Sequence, residues 1–355
     1  MKNDYLWDRS GEADAELREL EKALGQFRTA AETPNFSAIG AAVRERKFHF
    51  TWNMPRLIAA AVLSLALAAS GVLLLLPVSP ISSSPGWDVA RVEGTPSVGQ
   101  LSLTGGAKKA RLKVGELLVT DSSSRASVTV AEIGELNVDP GSRLRLLETG
   151  SNRKRIAVEF GTIHAAIWAP PGEFVVDTPS ATAVDLGCAY TLKVAQDGSG
   201  TLETTLGWVG FHQNGHDSFI PAGAMCLTRP KEGPGTPFFE DASDELRVAL
   251  YTLDFEQPSP TARQLALQTV FKQARPREAF TLWHLLSRVR ADERPLVYDR
   301  LASLVAPPSG VTREGTLRLD PKMLDAWWNA FGLGDIGIWR FWEQNEAPRT
   351  KTAVR

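Results

Sequence analysis

Two short segments carry side chains whose spacing could support chemistry. His212 and His216 stand at a metal-like interval, but the Gln-Asn-Gly between them predicts a hairpin turn and a solvated loop. Asp177 and Asp185 could in principle form an acid–base pair of the glycosidase kind. Both follow short apolar runs, so we expect them to cap turns at strand ends instead.

Motifs of common enzyme classes are missing from the sequence. The segment KEGPGTP lacks the lysine–serine end and the strand-to-helix context of a phosphate loop, and no GxSxG nucleophile elbow occurs. A net charge of -2 over 355 residues argues against a nucleic-acid partner, which would require a basic patch. We therefore expect no enzyme, no cofactor and no metal. An anchored hydrolase with an unfamiliar site is the enzymatic alternative.

One stretch divides the chain. Leu57–Leu76 reads LIAAAVLSLALAASGVLLLL, without a charge or a proline. As an α-helix it would be about 30 Å long, which is the thickness of the hydrocarbon core of a bilayer. A buried core helix is the alternative, but such helices rarely lack a polar face over this length. The sequence predicts a single transmembrane helix.

The basic residues around this stretch orient it. Four of them precede it, at Arg44, Arg46, Lys47 and Arg56, whereas none follows it before Arg91. The positive-inside bias therefore places residues 1–56 in the cytoplasm and the rest of the chain across the membrane. We expect a single-pass protein of the cytoplasmic membrane.

The sequence of the N-terminal tail predicts an amphipathic helix. Apolar residues recur there at helical spacing, preceded by Trp7, and form one stripe: Leu17, Leu20, Leu24 and Phe27. So short a segment does not bury this stripe by itself, and it must dock on a partner protein, a second copy or the membrane surface. The tail is more acidic than basic, which disfavours anionic lipid. We expect a partner protein.

Both cysteines, Cys188 and Cys226, fall in the part placed outside the cytoplasm. In an oxidising compartment they could pair, and closing so long a loop would stabilise the fold by roughly 4 kcal/mol. Two buried free thiols are the alternative, because sequence does not show whether the Cα atoms lie within bonding distance. We favour the disulfide.

The remaining sequence predicts strands and then helices. After a linker at residues 77–86, residues 87–240 alternate with period two, and turn chemistry recurs about every ten residues. This pattern indicates an all-β sandwich, roll or short β-helix. Residues 241–355 predict successive antiparallel helices, resembling a minimal helical repeat, with Leu265 among the buried residues.

Four tryptophans gather near the end of this helical module: Trp327, Trp328, Trp339 and Trp342. They could form the core of a small helical end-piece. They could equally form an aromatic partner-binding surface, because tryptophan is enriched at interface hot spots. Both interpretations stay open at the level of sequence.

The β region resembles the FecR domain family. The run VGELLVTDSSSRASVTVAEIGELNVDPGSRLRLLE matches in register at several positions: Gly115, Thr120, Ser124–Arg125–Ala126, Gly134 and Pro140–Gly141–Ser142. The downstream pieces FGTIHAAIWAPPGEFVVDTPSATAVDLGCAYTLKV and IPAGAMCLTR are similar to a variant of that family with an anti-sigma-like tail and one span. The resemblance covers about Trp87–Phe239, and the domain order of the chain agrees with it.

The resemblance implies a signal relay. A periplasmic sensor domain, meeting a periplasmic or outer-membrane partner, would be coupled through the span to a tail that binds an extracytoplasmic-function sigma factor. That tail has no cysteine and its only histidine is His49, so it lacks the ligands of a zinc-binding anti-sigma factor. An envelope scaffold that binds cell-wall polymer is the alternative from another class.

Overall fold

The computed structural model describes residues 85–213 and 215–345 of the 355-residue chain. The predicted cytoplasmic tail and the predicted span at Leu57–Leu76 lie outside these residues. Among the described residues, no helix is both long and apolar enough to cross a membrane. Strands come first in this part of the chain and helices follow, as the period of the apolar pattern predicts.

The β region forms two layers that share one strand. Within the described residues it contains eighteen strands: β1 (Gly86–Glu93), β2 (Ser97–Val98), β3 (Leu101–Ser102), β4 (Lys109–Lys113), β5 (Leu117–Val119), β6 (Arg125–Val130), β7 (Gly134–Val138), β8 (Arg143–Thr149), β9 (Lys154–Ile167), β10 (Phe174–Asp177), β11 (Thr182–Asp185), β12 (Ala189–Val194), β13 (Gly200–Leu206), β14 (Trp208–Gln213), β15 (His216–Pro221), β16 (Ala224–Arg229), β17 (Gly233–Pro234) and β18 (Phe238–Phe239).

The first sheet has the order β4-β1-β6-β7-β9-β12-β13-β16, with the two-residue strands β17 and β18 on its last edge. The second has the order β3-β2-β5-β8-β9-β10-β11-β14-β15. All pairs are antiparallel except β9 with β10. Alternate residues of both sheets point into one core. The arrangement therefore agrees with the predicted sandwich or roll.

Strand β9 belongs to both sheets because it bends at Gly161. Its first half pairs with β8 and β10, and its second half pairs with β7 and β12. Gly161 has φ of +108°, and a Cβ atom there would lie 2.3 Å from the Cα atom of Ser142. Only glycine accommodates both this backbone conformation and this contact. The sequence pattern predicts two strands here, RIAVEF and TIHAAIW, and the structure joins them into one.

Seven helices follow in the described residues: α1 (Asp244–Phe255), α2 (Pro260–Gln273), α3 (Ala279–Arg288), α4 (Arg294–Leu304), α5 (Arg313–Leu317), α6 (Pro321–Ala330) and α7 (Ile336–Asn345). The first four of these helices, α1 to α4, agree within a few residues with those predicted from apolar periodicity. Their starts obey local rules: Ser243 and Ser259 cap α1 and α2 by accepting hydrogen bonds from Leu246 and Ala262.

Helix α3 covers the free edge of the second sheet. Among the described strands, β15 pairs only with β14, so the outward amide and carbonyl groups of β15 need other partners. The Phe219 amide donates to His284 Nε2 at 2.9 Å, and Arg288 Nη2 donates to the Asp217 carbonyl at 3.0 Å. The helices and the strands therefore share one hydrophobic core.

The four tryptophans near the C-terminus belong to that core. Trp327, Trp328 and Trp339 are 0 % exposed and Trp342 is 3 % exposed. The rings of Trp328 and Trp339 lie 5.1 and 5.3 Å from the ring of Phe219 on β15. The prediction of an aromatic partner-binding surface is therefore corrected. These indoles bury large apolar areas between helices and sheet, and a partner does not reach them.

This aromatic packing requires a residue without a side chain on β14. A Cβ atom at Gly210 would lie 2.1 Å from Trp339 Cζ3. We expect Gly210→Ala to lower the free energy of unfolding by about 1–3 kcal/mol, because the buried indole has no free space to move into. Urea unfolding monitored by tryptophan fluorescence measures the change. Gly106→Ala is the matched control, because a Cβ atom there meets nothing within 4 Å. Equal stability of the two variants would contradict this account.

Candidate functional site

The residues that carry the family resemblance form buried polar links between strands. Thr120 Oγ1 donates to the Asp139 carbonyl at 2.7 Å and accepts from the Ser142 amide at 2.9 Å. Ser142 Oγ in turn accepts from the Thr162 amide at 2.9 Å, and Ser124 Oγ accepts from the Thr95 amide at 2.7 Å. These hydroxyl groups are nearly inaccessible, so they satisfy buried backbone groups and do not contact a ligand.

The arginine of the same motif faces outward and starts a polar chain across the first sheet. Arg125 pairs with Asp139, whose other carboxylate oxygen lies 3.0 Å from His164 Nε2. His164 Nδ1 lies 2.9 Å from Thr191 Oγ1 on β12. This series of polar contacts links β6, β9 and β12 on the outer face of the first sheet. Periodicity alone does not reveal the series, because its residues are far apart in sequence.

Asp139, His164 and Thr191 are connected in the order acid, base and hydroxyl group, but their surroundings do not favour nucleophilic catalysis. The His164 side chain is 46 % exposed on a regular β-sheet. Activating a threonine would require a desolvated site with donors aimed at a developing oxyanion. We interpret these contacts as a cross-strand network that orders the outer face of the sheet.

The two candidate carboxylates do not act together. Asp177 pairs with Arg155 through two hydrogen bonds, Nε to Oδ2 at 2.6 Å and Nη2 to Oδ1 at 2.7 Å. Asp185 is 2 % exposed, and its Oδ1 accepts from the Gly187 amide at 2.8 Å in the expected turn-capping role. Burial raises the pKa of Asp185 to about 7, against hydrogen bonds from Cys188 and Gly187 that lower it.

The candidate histidine pair does not form a metal site. His212 lies on β14 and its Nδ1 is 2.7 Å from Asp217 Oδ1, whereas His216 begins β15 with an exposed side chain. Across the described part of the chain, no three His, Cys, Asp or Glu side chains are grouped as a metal ion would require.

His284 on α3, next to Trp283, is fully enclosed. His284 Nδ1 donates to the Phe280 carbonyl at 2.8 Å, so Nε2 is left to accept from the β15 edge. Burial, reinforced by the Arg288 charge, lowers the pKa of His284 to about 3. The neutral ring is the only form that accepts this hydrogen bond at Nε2, and His284 is therefore a structural histidine.

The predicted disulfide is wrong. Cys188 and Cys226 are both free and buried. Cys188 precedes β12 and Cys226 lies on β16, and β13 separates these two strands. Two strand spacings amount to about 10 Å, which exceeds the Cα separation that a disulfide spans. Each thiol instead donates a hydrogen bond, Cys188 to Asp185 Oδ2 at 2.7 Å and Cys226 to the Gly235 carbonyl at 3.2 Å.

The predicted sigma-binding residues lie outside the described residues: Trp7, Leu17, Leu20, Leu24 and Phe27. Their assignment stays a prediction from the sequence. The candidate residues of the β region are thus turn-capping carboxylates, hydrogen-bonded thiols and buried hydroxyl groups, and the structure does not bring them together into one pocket.

These contacts define a two-layered β domain whose sheet edge is covered by helices. Residues 116–209 match the family described as FecR protein, and they run from β5 into β14. The chain therefore contains a FecR domain. No curated protein matches the sequence.

Two crystal structures of a Parabacteroides distasonis ATCC 8503 protein, provisionally assigned as an anti-sigma factor, resemble part of the chain. They are 16% and 17% identical to it, with TM-scores of 0.32 and 0.32. The similarity covers 44% and 43% of this chain and 74% and 73% of those chains.

The raised pKa of Asp185 makes stability depend on pH. The unfolded carboxyl group loses its proton near pH 4, whereas the folded one keeps it up to about pH 7. Stability from this group is therefore full below pH 4 and falls as pH rises towards 7. We expect Asp185→Asn to gain stability over the wild type by about 1.4 kcal/mol per pH unit across that range.

Urea unfolding at several pH values measures this difference. The amide can still accept from the Gly187 amide, so the turn that Asp185 caps is retained. Asp292→Asn, at an exposed position, is the control and should follow the wild type. A difference between Asp185→Asn and wild type that does not change with pH would refute the assignment.

The free thiols give a second test. We expect thiol titration without reductant to find no reactive thiol in the folded protein and two after denaturation, because both side chains are buried. Burial also raises the pKa of Cys226 to about 12, so little thiolate is present at neutral pH. Finding no thiols after denaturation would restore the disulfide.

Proposed function

We propose that the protein is a membrane-anchored, non-enzymatic FecR-type signal relay. The FecR domain and its helices lie in the periplasm and respond to a periplasmic or outer-membrane partner. The cytoplasmic tail binds an extracytoplasmic-function sigma factor through its apolar stripe. The observation that carries the proposal is the FecR domain at residues 116–209.

The order of the segments supports this proposal. An amphipathic stripe precedes the apolar stretch Leu57–Leu76, and the FecR domain follows it. A single span with protein on both sides suits a receptor that reports across a bilayer. The buried polar links of the β domain fit this role as well, because the hydroxyl groups of the motif residues are used to join neighbouring strands.

Transmission requires that the external partner bind two states of the protein with different affinity. A piston movement of the span, dimerisation and proteolysis of the chain each satisfy this requirement. Each of them changes how the tail presents its apolar stripe. The proposal does not depend on which one operates.

The tail stripe provides the test. We expect Leu17→Asp combined with Leu24→Asp in the full-length chain to abolish retention of a sigma factor, because a carboxylate on the contact face loses its water without gaining a partner. Co-purification from the host measures retention, and transcription of the regulon reports the consequence. Lys22→Gln, on the side of the predicted helix opposite the stripe, is the matched control.

Retention of a sigma factor by the double variant would remove the stripe from the interface. If the unchanged chain retains no sigma factor, and its deletion weakens the envelope while transcripts stay constant, the anti-sigma role fails. That pair of results would favour the envelope scaffold.

A further inference from the structure

The first two helices leave an apolar groove on their outer side. The groove has a volume of 660 Å³ and lies between α1 and α2. Apart from three carboxylates its lining is apolar or small and polar, and Val248, Ala262 and Leu265 contribute to it. Val248 is 65% exposed and Leu265 is 63% exposed. Leu265 is predicted to be buried by helical periodicity, and the structure contradicts this.

The inner faces of the same helices are already buried. Leu246 and Leu250 of α1, with Leu267 and Val270 of α2, pack into the core. Each helix is therefore apolar on two sides, although only one side faces the protein. A surface helix normally has a polar outer face, and the outer face of a terminal helical unit is normally polar as well. An apolar outer face indicates that another element covers it.

Carboxylates stand at both ends of the groove. Asp244 and Glu245 lie at the start of α1, and Glu256 follows its last residue. None of the three forms an ion pair with another residue in the described part of the chain. The first two are accounted for by the positive end of the helix dipole. The third stands at the negative end, where an acid is unfavourable.

Charge selects the class of occupant. A second copy of the chain would bring the same carboxylates face to face, and an anionic bilayer would also repel them. A cationic segment would neutralise them. The two carboxylate ends are separated by the 12 residues of α1, which is about 18 Å along the axis. A groove of this length accommodates about three turns of a third helix packed against α1 and α2.

We propose that the α1–α2 groove binds an amphipathic helix of a partner protein, with an apolar face on Val248 and Leu265. Basic residues about twelve positions apart on that helix pair with Glu245 at one end of the groove and with Glu256 at the other. The proposal goes beyond the relay function and does not need the sigma factor, so it stands or fails separately.

The test uses the full-length chain and two synthetic peptides of sixteen residues. Both carry the same leucine face, and one has lysines near each end where the other has glutamates. We expect fluorescence anisotropy to show saturable binding of the lysine peptide and much weaker binding of the glutamate peptide. Raising the salt concentration should weaken binding of the lysine peptide, because exposed ion pairs are screened. The full-length chain is held in lipid nanodiscs for this measurement, and nanodiscs without the protein give the blank.

Variants locate the binding site. The double variant Val248→Asp, Leu265→Asp should bind the lysine peptide with an affinity lower by about tenfold or more. Glu245→Gln with Glu256→Gln should remove most of the salt dependence. Leu296→Asp is the matched control, because Leu296 is 56% exposed on α4 and does not line the groove. Circular dichroism should be unchanged throughout, since all of these side chains are exposed or line the open groove.

Equal binding of the two peptides, or equal loss in Leu296→Asp and the groove variants, would overturn the proposal. So would binding of a small apolar dye in the groove while neither peptide binds, because the groove would then be a small-molecule site.

Discussion

The structure depends on closing the open edge of one sheet. Strand β15 ends the second sheet, and its outward backbone groups would attract another chain if they were left bare. Helix α3 satisfies them with side chains, His284 accepting from the Phe219 amide and Arg288 donating to the Asp217 carbonyl. The tryptophans of α6 and α7 then exclude water from these contacts. The helices therefore complete the β fold and do not form a separate appendage.

Burial explains the chemical character of the enclosed polar groups. His284 stays neutral because a proton on Nε2 would oppose the Phe219 amide hydrogen. Asp185 favours its protonated form because burial disfavours the carboxylate. Perturbed pKa values often mark catalytic sites, but here the same physics serves strand ends and sheet edges. The perturbed pKa values of His284 and Asp185 are therefore explained by the structural roles of these residues.

The division of the chain into strands and helices could be predicted from local pattern. Period-two alternation located the strands around Arg125–Val130 and Arg143–Thr149, and period 3.6 located α1 within its observed bounds. These signals are local because backbone geometry fixes the direction of each side chain from its neighbours. The in-register residues of the FecR motif were likewise visible in the sequence, although their role as buried hydroxyl links was not.

What the sequence determined by itself was the type and order of the elements, and the family of the β domain. The tertiary structure alone decided which apolar residues face the core. It buried the four tryptophans, exposed Leu265 and kept the two cysteines apart with β13 between them. The physical reason is that burial and cysteine pairing depend on which elements meet across long loops. Periodicity marks an apolar face but does not say what covers it.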